Sequence, residues 1–107
     1  MKSDRLKGHL DGLLLAILNE KPAHGYEVIE RLTAQSGGVF ELPEGTVYPA
    51  LHRLEAAGLL DSTRERVGGR ERRVYATTRR GRASLRERRA DWTVFATTVT
   101  SILGSPT

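Results

Sequence analysis

The sequence predicts a mainly α-helical fold with one two-stranded β-wing and a long C-terminal helix. Three observations lead there. Apolar residues recur at helical spacing in three short segments before residue 60. Two runs rich in Val, Thr and Tyr then flank the turn sequence Gly-Gly-Arg-Glu. The last segment, residues 80–103, repeats its apolar positions at steps of three, four and seven.

In the first segment Leu10, Leu13, Leu14, Ile17 and Leu18 fall on one helical stripe. Pro22 lacks the N–H that would continue the ladder, so the helix stops before it. Its leucine content suggests that it meets a second apolar surface beside its own core. In the second segment Gly25, Val28, Ile29 and Leu32 make the stripe, and Gly37 and Gly38 supply a left-handed ending. Ala23 or His24 stands at its start without an obvious cap.

The third segment is GTVYPALHRLEAAGLL. Val47, Ala50, Leu51 and Leu54 form its inward face, and Gly58 ends it. A helix starting at Gly45 or Thr46 puts Pro49 in the first turn, where a missing N–H costs nothing. Tyr48, Pro49, His52 and Arg53 then lie opposite the core. Residues 59–67 and 72–78 follow as the two strands. Alternation sets Val74 and Ala76 on one face and Arg73, Tyr75 and Thr77 on the other. In the final helix Leu85, Trp92, Phe95, Val99 and Ile102 make a heptad-like seam, the spacing of a helix that pairs with another.

Charge separates the chain into two halves. Residues 1–63 hold six basic and nine acidic side chains, whereas residues 64–107 hold eleven arginines and four acids. Every base in the second half is Arg, whose fork matches phosphate with two donors. That asymmetry points to a polyanionic partner, nucleic acid above all. The 107 residues suit one folding unit, which a partner subunit would help to complete. The chain has no cysteine, so disulfides and thiolate metal cages are excluded, which fits the reducing cytoplasm. The longest apolar run, residues 13–18, is far below the ~20 residues of a membrane span. A soluble cytoplasmic protein with no membrane partner is expected.

Helix, helix, helix, strand, turn, strand, long helix is the order of a winged helix-turn-helix domain extended by a dimerisation helix. The expected division is 1–79 for DNA binding and 80–107 for the dimerisation helix and tail. Three blocks, HGYEVIERL, GTVYPALHRLEAAGLL and RRVYATTRRGRASL, resemble the signatures of the PadR family of bacterial transcriptional regulators. They cover about residues 10–85 in the family's order. Val47 stands where leucine is commoner, and Val74 where tyrosine is commoner. The short tail resembles the smaller subfamily with a single C-terminal helix.

The resemblance implies a homodimeric repressor on an inverted-repeat operator in double-stranded DNA, near its own gene or a transporter or detoxification gene. It implies release by a small-molecule effector. In some short members a tryptophan on the last helix flanks a pore for planar aromatic compounds, and Trp92 is at the matching place.

In such a protein the third helix enters the major groove by its N-terminal end. Thr46 and Tyr48 bring hydroxyls, Pro49 a rigid apolar contact, and His52 and Arg53 donors one turn later. Tyr26 offers a hydroxyl at the start of the second helix. Arg70, Arg72 and Arg73 line the wing tip, where a ribbon follows the backbone or enters a minor groove. Leu10, Leu14, Leu85, Trp92, Phe95, Val99 and Ile102 are the candidate interface or effector residues.

Enzyme chemistry finds no foothold. The serines have no partnered base, and the Val-Gly-Gly turn lacks the lysine and helix of a phosphate loop. His24 with Glu27, or His9 with Asp11, has no second ligand pair, so no metal residue and no cofactor is assigned. The alternatives are a metal-responsive regulator of the same fold, with a metal-ion effector, and a winged-helix protein-interaction adaptor.

Overall fold

Helix α1, Leu10–Glu20, opens the core in the computed structural model, which describes residues 3–105 and places a 3-10 turn, Ser3–Leu6, ahead of it. Leu14, Leu15, Ile17 and Leu18 are its buried side chains, on the expected stripe with Leu15 added. Pro22 lies just beyond its end. Arg31 closes that end: Nη2 donates to the Ile17 carbonyl at 2.9 Å and pairs with Glu20 at 2.9 Å.

Residues 23 and 24 form a strand that the sequence pattern does not announce. Strand β1, Ala23–His24, is too short for alternation to register. It hydrogen-bonds along a later strand, with Ala23 opposite Tyr75 and His24 opposite Val74. Helix α2, Gly25–Gln35, starts at once. Its cap is His24, whose Nδ1 accepts the Glu27 N–H at 3.2 Å. Gly37 and Gly38, at φ of +62° and +84°, end it as expected.

Helix α3 is Glu44–Ala56, so it starts earlier than the sequence suggests. The Pro43 carbonyl accepts from Thr46 and Val47, at 3.0 and 3.2 Å. Pro49 is therefore past the first turn. It withholds a bond from the Gly45 carbonyl, and interior proline costs a helix about 3 kcal/mol. Gly45 and Pro49 are both exposed, so solvent can pair the orphaned carbonyl. Val47, Ala50, Leu51 and Leu54 are buried as expected. Gly58 at φ +79° and the Leu59 N–H to Leu54 carbonyl bond of 3.0 Å terminate α3.

Strands β2, Leu60–Val67, and β3, Arg70–Thr77, are antiparallel with Val67 opposite Arg70. Only Gly68 and Gly69 separate them, at φ of +58° and +79°, the geometry of a two-residue hairpin turn. The sheet order is β1-β3-β2, with β3 central. Tyr75 is the buried side chain of β3, 2% exposed, so its face of the strand turns inward.

Helix α4, Arg79–Leu103, is capped by Thr78, whose Oγ1 accepts from Gly81 N–H at 3.0 Å. Its first two turns belong to the common core through Gly81 and Leu85. Beyond them Arg88 lies against Gly12 of α1, and Trp92 and Phe95 meet His9, after which the helix runs on in a molecule with a 53 Å long axis. The expected interface set divides here. Leu14 and Leu85 are 0% and 3% exposed inside the subunit, so neither can line an interface or a ligand site. Leu10 is partly buried on the core. Among the described residues, no helix is long and apolar enough to cross a membrane.

Candidate nucleic-acid interface

The helical period of α3 fixes what it shows outward. With Val47, Leu51 and Leu54 inward, the opposite ridge carries Gly45, Pro49 and His52, all exposed. Tyr48 lies on one flank of that ridge, and Thr46 and Arg53 on the other.

Tyr48 is held by a glycine. A Cβ at Gly25 would sit 2.1 Å from Tyr48 Cε1, so the ring lies directly on the first turn of α2. Tyr26 follows in chain and is 54% exposed. Burial raises the Tyr48 pKa above its ordinary 10.0, and the Glu44 carboxylate and Tyr26 add to the shift. Tyr75 is also raised, first by burial and then by Glu55, with Arg73 opposing. Both hydroxyls are therefore protonated donors at neutral pH. A raised folded pKa means that the native state holds these protons more tightly than the unfolded chain. Stability is thus fully kept below about pH 10 and declines as the pH rises through the folded values. A spectrophotometric alkaline titration should show Tyr48 and Tyr75 ionising above the ordinary tyrosine value of 10.0, with thermal stability falling over the same range.

Tyr26, Tyr48, His52, Arg70, Arg72 and Arg73 converge on one open cleft, together with His24, Glu30, Glu44 and Tyr75. The three wing arginines differ in their freedom. Arg70 adjoins the turn and is exposed. Arg73 Nη1 is tied inward, donating to Ser62 Oγ at 3.0 Å and lying 3.8 Å from Glu55. Arg64 stands directly opposite Arg73 in the ladder, and each is offset by a carboxylate, Glu71 at 4.0 Å for Arg64 and Glu55 at 3.8 Å for Arg73.

His24 is the residue that sequence reasoning left out of this group. Its Nδ1 accepts the α2 cap bond, so the neutral ring carries its proton on Nε2. Arg72 Nη1 lies 3.2 Å from that Nε2. Glu27 Oε1 lies 3.9 Å from the same nitrogen, so His24 links the start of α2 to the wing. The signal was faint, because histidine is an uncommon cap and its partner in β3 is distant in sequence.

Thr46 and Arg53 are not part of that cleft. They line a second one on the other flank of α3, with Leu6, Lys7, Gly8, Leu10, Asp11 and Arg88. There Arg53 is ion-paired with Asp11.

On α4, Trp92 and Phe95 are 53% and 54% exposed, and Ile102 is 77% exposed. Val99 is half-buried. The Trp92 and Phe95 rings lie 5.7 Å apart, and His9 meets Trp92 edge-on at 5.3 Å. The seam therefore forms an exposed aromatic patch starting at Trp92.

A family model described as the transcriptional regulator PadR-like family matches residues 14–87. The chain is similar to a transcriptional regulator of Mycobacterium tuberculosis, 44% identical over 70 residues, 65% of this chain and 63% of that protein. It is 31% identical over 93 residues to an uncharacterized protein of Lysinibacillus sphaericus, with 86% and 85% of the two chains covered. The crystal structure of a PadR family transcriptional regulator from Eggerthella lenta matches with a TM-score of 0.82 at 35% identity, over 96% of this chain and 88% of that one. A PadR-like transcriptional regulator from Bacillus cereus gives 0.82 at 30% identity, over 97% and 100%. PadR-like proteins are DNA-binding regulators and not enzymes. The matched segment runs from α1 through the wing into the first turns of α4, and with it this chain belongs to the PadR-like family of transcriptional regulators.

Proposed function

We propose that the protein is a cytoplasmic homodimeric repressor that binds an inverted-repeat operator at its own gene and at a neighbouring transporter or detoxification gene. Residues 1–79 form the winged helix-turn-helix DNA-binding domain, and residues 80–107 form the dimerisation helix and tail. The observation that carries this reading is the grouping of Tyr48, fixed over Gly25, with His52 and the wing arginines on one face.

The ridge of α3 enters the major groove by its N-terminal half. Pro49 and His52 meet base edges there, and Tyr48 and Tyr26 donate to phosphate. Arg70 and Arg72 hold the backbone beside the wing. Arg73, tied to Ser62 and Glu55, chiefly stiffens the ribbon. A small-molecule effector, a planar aromatic compound stacking on Trp92, shifts the relation of the two subunits and releases the operator.

Mobility shift with DNA from upstream of the gene tests the assignment. The wild-type protein should retard that duplex more strongly than an unrelated one. Arg70→Gln with Arg72→Gln should weaken binding about equally on both duplexes. It should also flatten the dependence of log affinity on log salt by about 1 for each phosphate that an arginine no longer neutralises. An unchanged slope would remove the wing from the interface.

A further inference from the structure

We propose that the cleft on the other flank of α3 is a second phosphodiester clamp, made by Lys7, Arg53 and Arg88, which grips the strand opposite the wing. It presupposes the DNA-binding role proposed above.

Four segments build the cleft: Lys7 precedes α1, Asp11 lies on it, Thr46 and Arg53 come from α3, and Arg88 comes from α4. Three cations face one carboxylate. Asp11 is engaged with Arg53, whereas Lys7 and Arg88 have no ion pair among the described residues. Such a site favours an anion and has no use for a neutral ligand.

Arg88 is pre-set for that task. Its Nε donates to Ser84 Oγ at 3.0 Å, one turn back on α4. Its stem lies against Gly12, where an added Cβ would be 3.4 Å from Arg88 Cδ. The guanidinium is thereby oriented with its terminal nitrogens available to fork onto two oxygens. Asp11 does the same for Arg53 and acts as a positioning residue, since one carboxylate leaves most of the five guanidinium donors unused. Thr46 adds a hydroxyl, and Leu6 and Leu10 supply apolar walls that limit competing water.

The location decides the class of anion. A major groove is about 12 Å wide and bordered by two sugar-phosphate backbones, and a helix with its side chains is about 10–12 Å across. The wing cleft and this cleft lie on opposite flanks of one recognition helix. When the wing meets one border, Lys7, Arg53 and Arg88 meet the other. The same chemistry would also take a free phosphate or a phosphorylated small molecule, so the test must separate the two sources.

Duplex affinity is measured on the full chain by fluorescence anisotropy between about 50 and 200 mM salt. Lys7→Gln and Arg88→Gln are compared with Arg86→Gln, an exposed α4 arginine outside the cleft. Each cleft variant should flatten the salt slope by about 1 per subunit, and Arg86→Gln should leave it unchanged. A duplex carrying neutral methylphosphonates on the strand opposite the wing should erase the difference between wild type and Lys7→Gln. Lys7 is exposed, so its variant reports binding even if Arg88→Gln loosens α4.

Wild-type slopes for both cleft variants, with a flattened slope for the wing variant, overturn the clamp and leave the DNA-binding role intact. Failure of the wild-type protein to bind duplex overturns both. Titration with inorganic phosphate alone is the third arm. Binding abolished by Lys7→Gln, without any change in duplex slope, makes the cleft a small-anion site and overturns the clamp.

Discussion

The proposed homodimer is expected to fall to monomers when Phe95→Glu is combined with Ile102→Glu, and its affinity for the proposed inverted-repeat duplex to drop by about 10²-fold or more. From Trp92 to the end of the chain no residue is charged. Trp92, Val94, Phe95, Ile102 and Leu103 are each more than half exposed in a single subunit. Fully burying such side chains contributes about 1.5–3 kcal/mol apiece, so a second copy laid along the seam gains several such increments. Two glutamates there would have to be buried uncompensated, which costs more than the seam supplies. Each monomer would still carry an intact α3 and wing, because the core ends at Leu85. The monomer forfeits the link that makes the second half-site contact intramolecular, worth about 10²–10⁴ in overall affinity. Analytical ultracentrifugation and binding to a single half-site separate the two effects. Half-site affinity should stay near wild type while full-site affinity collapses. A variant that stays dimeric would move the interface off this seam.

The division between Leu85 and Trp92 shows what spacing alone conveys. Leu85, Trp92, Phe95, Val99 and Ile102 form one stripe in sequence, but Leu85 faces its own subunit and Trp92 faces out. Periodicity tells which residues share a face. It does not tell where the neighbouring element stops, and α1 ends its contact with α4 near His9. Leu14 illustrates the same limit, for its stripe is correct and its assignment to an interface is not. The α3 face was legible because Val47, Ala50, Leu51 and Leu54 answer to one local rule. So were the Gly37–Gly38 ending, the wing and the order of the elements other than β1. The start of α3 was not, since Pro43 caps through its carbonyl and leaves no side-chain signal. Strand β1, the His24–Arg72 approach and the Arg53–Asp11 pair all join residues far apart in sequence. No window along the chain contains both partners. The split of the predicted DNA-facing residues between two clefts follows from the same cause, since flank is set by packing against α1, α2 and the sheet.

Gly81→Ala is expected to destabilise the protein by about 2–3 kcal/mol, although helix propensity alone argues the reverse. Gly81 lies in the first turn of α4, and alanine is favoured over glycine in a helix by up to about 1 kcal/mol. A Cβ at this position would sit 2.0 Å from the carbonyl oxygen of Leu59 and 3.0 Å from its carbon. Both are backbone atoms, so no rotamer change relieves the contact. The helix cannot slide away either. The Leu59 carbonyl accepts the Thr78 N–H at 3.2 Å, the Gly58 carbonyl accepts the Thr78 hydroxyl at 2.7 Å, and Thr78 Oγ1 accepts the Gly81 N–H at 3.0 Å. Moving α4 far enough to admit a methyl group breaks some of these and lifts Leu85 from the core. Overpacking of this kind costs about 1–3 kcal/mol, and removal of a cap about 1 more, which together outweigh the propensity gain. At roughly 4 °C per kcal/mol, the melting temperature should fall by about 10 °C. Gly45→Ala is the control, because Gly45 is also helical and a Cβ there meets nothing within 4 Å. Only the propensity effect acts at that position, so its melting temperature should rise by a few degrees. If Gly81→Ala rose with it, α4 would not be seated on the Leu59 carbonyl, and the anchoring of the helix to the wing domain would have to be drawn differently.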